Sequence, residues 1–249
     1  MTESEIETAA GILADARRNG GLIDALPAVP ASVAEAHAIQ DRVAALLGDA
    51  VGGFKANAPP DGEPTRGLIY ARTIRASPVR MSPAEVPHCG VEGEIAFRFI
   101  RDLPPRDTPY TRDDVARAVA VLPVIEIVSG RYRDPRGRPN LEQLADCTIN
   151  GGLVFGPETA DWSHIDLPNL RITMLVNGTA LHEKQGSHPF GDPLGGAVAL
   201  ANMMDGAGGV KAGQIVTTGS WTGVDFLKPG DRCVVRFETL GDAEVVFDA

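Results

Sequence analysis

Three glutamates sit inside apolar, β-branched runs, and that placement constrains the fold more than any other feature of the sequence. Glu92 and Glu94 lie in Val91-Glu92-Gly93-Glu94-Ile95-Ala96-Phe97, and Glu126 is central in Val124-Ile125-Glu126-Ile127-Val128. Runs of this composition read as short strands. Residues i and i+2 of a strand share a face, so Glu92 and Glu94 project side by side. Two like charges there repel unless a cation lies between them. Glu126 would be costly to bury without a partner, and Arg131 and Arg133 are candidates. Two readings stay open. The alternating glutamates are the wet face of an antiparallel edge, or the three carboxylates surround a hard divalent ion such as Mg²⁺ or Mn²⁺. Spacing alone does not bring Glu126 beside the other two.

The surrounding pattern predicts an α+β fold. Thr2-x-x-Glu5 opens a helix that Gly20-Gly21 ends, and Ser32-x-x-Glu35 opens a second that runs to Gly48. Residues 52–90 are rich in Gly, Pro and Arg and read as loops and short strands. Beyond residue 90, β-rich segments dominate: 94–100, 124–128, 153–155, 171–176, 215–217, 232–237 and 243–247. A helix from Thr111 carries Val115, Val119 and Val121, and another starts at Asp192-Pro193, with Asp as cap and Pro at the first helical position. Lys211-Ala212-Gly213-Gln214 and Lys228-Pro229-Gly230-Asp231 are turns that feed strands. The regular alternation of a parallel α/β sheet is missing. The expected architecture is a small helical N-terminal region, residues 1–75, which contributes Lys55, and a larger, mainly antiparallel β-rich domain, residues 76–249.

Charge narrows the partners. The chain has 33 acidic and 23 basic side chains, a net charge of −10. This argues against nucleic acid, which needs clustered Lys and Arg, and against docking on anionic membrane. No apolar run approaches the roughly 18 residues that span a bilayer. The three cysteines, Cys89, Cys147 and Cys233, are far apart and form no CxxC pair, which excludes a disulfide framework or thiolate zinc site. The start of the sequence is acidic where a secretory leader is basic and then apolar, so a cytoplasmic setting is expected.

Taken in order, several motifs resemble those of the 2-keto-4-pentenoate hydratase / 4-oxalocrotonate decarboxylase family, within the fumarylacetoacetate hydrolase superfamily. They are Glu35-Ala36-His37-Ala38-Ile39-Gln40, Gly53-Phe54-Lys55, residues 91–97, Ile125-Glu126-Ile127-Val128 with Arg131, Ala145-Asp146 ahead of Asn150-Gly151-Gly152, Asp192-Pro193-Leu194 ahead of Leu200-Ala201-Asn202, and 211–220 with Thr222-Gly223. The resemblance implies that Glu92, Glu94 and Glu126 bind one divalent metal, Mg²⁺ or Mn²⁺, in a fumarylacetoacetate-hydrolase-type core. It implies a 2-oxo or 2-hydroxy-dienoic acid substrate whose carboxylate and 2-oxygen chelate that ion.

The same resemblance assigns roles. Lys55 becomes the leading acid/base group and Asp146 the second. An Asp twenty residues after the third carboxylate marks hydratases, where C–C hydrolases carry Lys. Ser220 and Thr222 would bind the substrate carboxylate, since such a turn presents several donors, and Arg131 is a further substrate contact. Departures fall at Ala56-Asn57-Ala58-Pro59-Pro60, 67–72, Ser129-Gly130 and Trp221, and these are expected to line the substrate side. Arg72 or Arg75 could meet a second carboxylate. His182 and His188 match no motif and read as loop or surface residues. The expected activity is therefore a metal-dependent hydratase. The alternatives are a 2-oxo-dienedioate decarboxylase, a C–C-bond hydrolase, or a non-catalytic subunit that partners a homologous enzyme. A homo-oligomer is expected from the family.

Overall fold

A computed structural model describes all residues 1–249. The chain begins with two helices, α1 (Glu3–Asn19) and α2 (Val33–Leu47). In α1, Thr2 and Glu5 cap each other reciprocally, and Gly20 ends the helix in the left-handed conformation. In α2, Ser32 caps the Glu35 amide, while the Glu35 carboxylate bonds to the Ala31 amide and the N-terminal amine. Both helices therefore start and stop where their capping residues dictate.

The strands follow: β1 (Val51–Asn57), β2 (Thr65–Tyr70), β3 (Ile74–Ala76), β4 (Val79–Met81) and β5 (Gly90–Phe99). After α3 (Arg112–Ala116) comes β6 (Val119–Val128); after α4 (Asn140–Ala145) come β7 (Asn150–Phe155), β8 (Arg171–Val176) and β9 (Thr179–Gln185). Helix α5 (Gly195–Met203) precedes β10 (Ile215–Thr217), β11 (Asp225–Phe226), β12 (Arg232–Phe237) and β13 (Gly241–Phe247). Three details differ from the sequence pattern. α3 stops at Ala116, and Val119 and Val121 join β6, since β-branched residues gain more from a buried strand than from a helix. α5 begins at Gly195 because Asp192 instead closes a turn, accepting from the Leu194 amide at 3.1 Å. α4 and β9 carry no strong periodic signal and were not foreseen.

Two mixed, mostly antiparallel sheets result. The larger runs β2-β1-β10-β5-β6-β7-β3, with β11 beside β5, and the smaller runs β4-β13-β12-β8-β9. Only the β1/β10, β3/β7 and β4/β13 pairs are parallel. The larger sheet curls into a half-barrel. One face packs Val91, Ile95, Phe97, Ile125 and Ile127 against Ile172, Val235 and Phe237 of the smaller sheet. Gly93 lies at that contact, where a Cβ would come within 2.7 Å of the Ile172 side chain. The concave face closes over a separate plug of Ile69, Ala96, Leu122, Val124, Leu153 and Ile215. Strand alternation thus sends odd residues of β5 and β6 into the main core and even ones into the curl. The boundary at residues 75/76 runs through this sheet, since β1–β3 hydrogen-bond into it. Only the helical pair, with its own apolar cluster, stands outside.

Gln40 fastens that helical layer. It is fully buried, donates to the carbonyls of Arg66 and Leu144, and accepts from the Leu68 amide at 3.1 Å, tying α2 to β2 and α4. Gln40→Ala should lower unfolding free energy by about 2–4 kcal/mol, because it strands buried backbone groups. Urea denaturation by circular dichroism checks this.

Candidate active site

The concave face is apolar at one end and charged at the other. Even-numbered residues bring Glu92 and Glu94 on β5, and Glu126 on β6, into the curl. The register sets Glu92 directly opposite Glu126. The three carboxylates each offer an oxygen, and these oxygens lie within 4.8 Å of one another. Glu94 and Glu126 are buried and Glu92 is partly open. On β1, Lys55 faces the same way, with its Nζ 2.8 Å from Glu126 Oε1 and 3.3 Å from the Thr148 carbonyl. Asn150 Nδ2 donates to the same Glu126 oxygen at 3.0 Å. Glu126 pairs with Lys55 and not with Arg131 or Arg133, which point elsewhere.

Burial decides the electrostatics. It pushes the Glu94 carboxyl well above its ordinary value, helped by the charges of Glu126 and Glu92. It raises Glu126 as well, against the attraction of Lys55. For Lys55, burial acts downward, but Glu126, Glu92 and Glu94 together outweigh it and hold the ammonium above its usual range. The other Glu126 oxygen, Oε2, is buried without any hydrogen-bond partner. A donor set of three hard oxygens with one buried acceptor left unmet fits a divalent cation.

Two backbone devices complete the cluster. Gly219, at φ 139°, aims its amide at Glu94 Oε2 from 3.2 Å, a conformation that favours glycine. Cys147, Thr148 and Ile149 are three successive residues near φ +55°. Left-handed backbone costs about 1–2 kcal/mol per non-glycine residue, so the turn must be held from outside. Asp146 does so: its carboxylate pairs with Arg17 and accepts from the Arg131 amide, while its carbonyl accepts from the Ile149 amide at 3.0 Å. The held turn presents the Thr148 carbonyl to Lys55.

The cluster forms the floor of a cavity of about 620 Å³. Lys55, Glu92, Glu94 and Ser220 reach it. Asp146, Thr222 and Arg131 do not line it. Thr222 is buried, with Oγ1 accepting from the Gly93 amide and donating to the Gly223 carbonyl, and so anchors the turn to β5. Arg131 lines a second cavity together with Arg72 and Arg75. Trp221, expected on the substrate side, is packed in the core edge-on to Phe237. His188 is likewise buried, against the Thr218 carbonyl, and His182 pairs with Asp225. The sequence reading missed Glu63, Thr65, Thr148 and Phe190 on the cavity wall. They come from loops and strand ends with no periodic signal.

Comparisons with known proteins give the family and the fold. The profile of the fumarylacetoacetate (FAA) hydrolase C-terminal family matches residues 37–247. The chain belongs to the fumarylacetoacetate hydrolase family. Relatives include a 4-oxalocrotonate decarboxylase of Pseudomonas putida, 28% identical over 136 residues, 54% of this chain and 51% of that one. The match therefore spans about half of that relative. Another is 2-keto-4-pentenoate hydratase 1 of Dechloromonas aromatica, 29% identical over 187 residues, 74% of this chain and 70% of that one. Among solved structures, 4-oxalocrotonate decarboxylase from Pseudomonas putida G7, complexed with magnesium and adipate, superposes with a TM-score of 0.85 at 22% identity. The superposition covers 99% of this chain and 98% of that one. The same enzyme complexed with calcium and acetate gives 0.83. That solved enzyme thus shares the fold of this chain.

The raised carboxyls carry a pH signature. A carboxyl whose folded value exceeds its unfolded value stabilises the fold at low pH and loses that contribution as pH rises. For Glu126 the window runs from its ordinary 4.5 to about 7. With chelator present, Glu126→Gln should therefore gain stability relative to wild type between pH 5 and pH 8. Taking the difference between the two proteins cancels the buried histidines, and chemical denaturation at each pH measures it.

Proposed function

We propose that the protein is a divalent-metal-dependent hydratase that adds water to a 2-hydroxy-dienoic or 2-oxo-enoic monocarboxylic acid. Glu92, Glu94 and Glu126 would hold the ion, Mg²⁺ or Mn²⁺. Hydratases among the relatives, and magnesium and calcium in the solved decarboxylase, support the class. The observation that carries the choice of reaction is the cavity wall. Apart from Lys55, no Lys or Arg lines it, and Glu63 does. A dienedioate would bring its second carboxylate there without a counter-ion, at the cost of desolvating a charge. A monoacid has no such group.

A divalent cation held by Glu92, Glu94 and Glu126 would supply Lewis-acid stabilisation of the negative charge that spreads along the conjugated chain. The protein's own groups do the rest. Lys55, kept as an ammonium by the three glutamates, gives a proton to the far end of the dienol and recovers one as the 2-hydroxyl becomes the 2-oxo group; the water that then adds puts its hydroxyl on one alkene carbon and its proton on the next. The Thr148 carbonyl, fixed by the turn that Asp146 holds, orients that ammonium, so Asp146 acts on the reaction through position. Ser220, beside Gly219, receives the acid head. Leu141, Leu144 and Phe190 cover the hydrocarbon chain, and Asn57 and Thr65 hold the attacking water. The three buried free cysteines suit a reducing, cytoplasmic compartment, and no helix is long and apolar enough to cross a membrane.

The test uses the purified chain alone with Mg²⁺ or Mn²⁺. Loss of the dienoate chromophore with water uptake is expected, and CO₂ release from a 2-oxo-dienedioate is not. Glu94→Gln should abolish turnover together with the metal-induced rise in Tm. Lys55→Met should lower kcat by about 10²–10⁴-fold while the metal-induced rise in Tm persists. Full activity in Glu94→Gln, or CO₂ release as the main reaction, overturns the assignment.

A further inference from the structure

A second cavity, of about 410 Å³, opens where the end of α1, β3 and the β6–α4 loop meet, and it shares no lining residue with the acidic one. Five arginines line it: Arg17, Arg18, Arg72, Arg75 and Arg131. Four are already matched. Arg17 pairs with Asp146, Arg18 with Asp15 at 2.9 Å, Arg72 with Asp49 at 2.6 Å and Arg75 with Glu85 at 2.6 Å.

Arg131 is the exception. It is only 4% exposed and forms no ion pair. Its guanidinium makes one hydrogen bond, from Nη2 to the Ser129 carbonyl at 2.8 Å, and its Nε is buried with no partner. The nearby Asp146 carboxylate is occupied by the Arg17 side chain and the Arg131 backbone amide. Burial and the charges of Arg17 and Arg72 disfavour the Arg131 cation, outweighing the attraction of Asp146. A guanidinium cannot shed its proton at physiological pH, so the lining keeps one uncompensated positive charge and unmet donors. Arginine forks match the oxygens of carboxylates and phosphates.

We propose that this cavity binds the carboxylate or phosphate group of a small anionic metabolite, seated against Arg131 with Arg17, Arg72 and Arg75 around it. One negative charge neutralises the lining, and the remaining volume admits the body of a small molecule. The site is distinct from the acidic cavity and does not rest on the hydratase assignment.

Isothermal titration of the metal-free, chelator-treated protein with inorganic phosphate and with succinate, at constant ionic strength, tests this. One saturable site is expected. Stronger binding of phosphate points to a phosphorylated metabolite, and stronger binding of succinate to a carboxylic acid. Arg131→Gln should weaken binding at least about tenfold, and Arg75→Gln, at the rim, should weaken it too, deciding the matter if the first variant fails to fold. Glu94→Gln should leave it unchanged, which separates this site from the acidic one. No saturable binding of either anion, or undiminished binding in the arginine variants, overturns the proposal.

Discussion

The structure depends on holding the carboxyls of Glu94 and Glu126 side by side inside a half-barrel, where burial raises both above their ordinary range. Two buried carboxylates a few ångströms apart are unfavourable alone, and Lys55 is the one cation the fold pairs with them, through Glu126. Removing one partner of a buried pair costs about 3–5 kcal/mol, because it leaves the other charge bare. Lys55 cannot neutralise three glutamates, however, and Glu126 Oε2 still lacks a partner. The fold therefore stores a deficit of positive charge at one point. That is the physical basis for placing a cation there, and it is independent of any likeness to other proteins.

Much of the larger sheet can be understood as scaffolding for that point. The even parity of β5 and β6 fixes three carboxylates on one face, and the β5/β6 register aligns Glu92 with Glu126. The parallel β1/β10 pair then sets Lys55 beside Thr217, two strands from Glu92 and Glu94 and three from Glu126. The left-handed turn at Cys147–Ile149 is the costliest local feature, and its supports are correspondingly strong: a buried ion pair from α1 and an amide from the β6–α4 loop. Strain of this kind persists only where the surroundings over-determine it. Here the surroundings include the helical layer, so α1 contributes to the site without touching it.

Legibility in the sequence followed the range of the forces. Both N-terminal helices were readable from Thr2, Ser32, Gly20 and Gly48, because caps act within one turn. Segments 171–176, 215–217 and 232–237 are readable as strands because their β-rich composition is a local signal. The glutamates stood out because charge inside an apolar run is locally anomalous. What could not be read was pairing across distance. Asp146 looks like a turn former with chemistry, and only the fold shows Arg17, 129 residues away, holding it. The motif puts Arg131 with the substrate, but β6 ends at Val128 and the side chain lines a different cavity. Val119 and Val121 were assigned to a helix because a helical phase was counted through residues whose branching favours a strand.

The two cavities are also complementary in sign. One gathers carboxylates that a single lysine does not balance, and the other gathers guanidiniums of which one has no carboxylate. They nevertheless meet through the backbone. Gly151 lines the arginine cavity, and its neighbour Asn150 donates to Glu126 in the other. Asp146 sits between them, with Arg17 and the Arg131 amide on one side and the turn that presents Thr148 to Lys55 on the other. The chain's net charge of −10 hides this division.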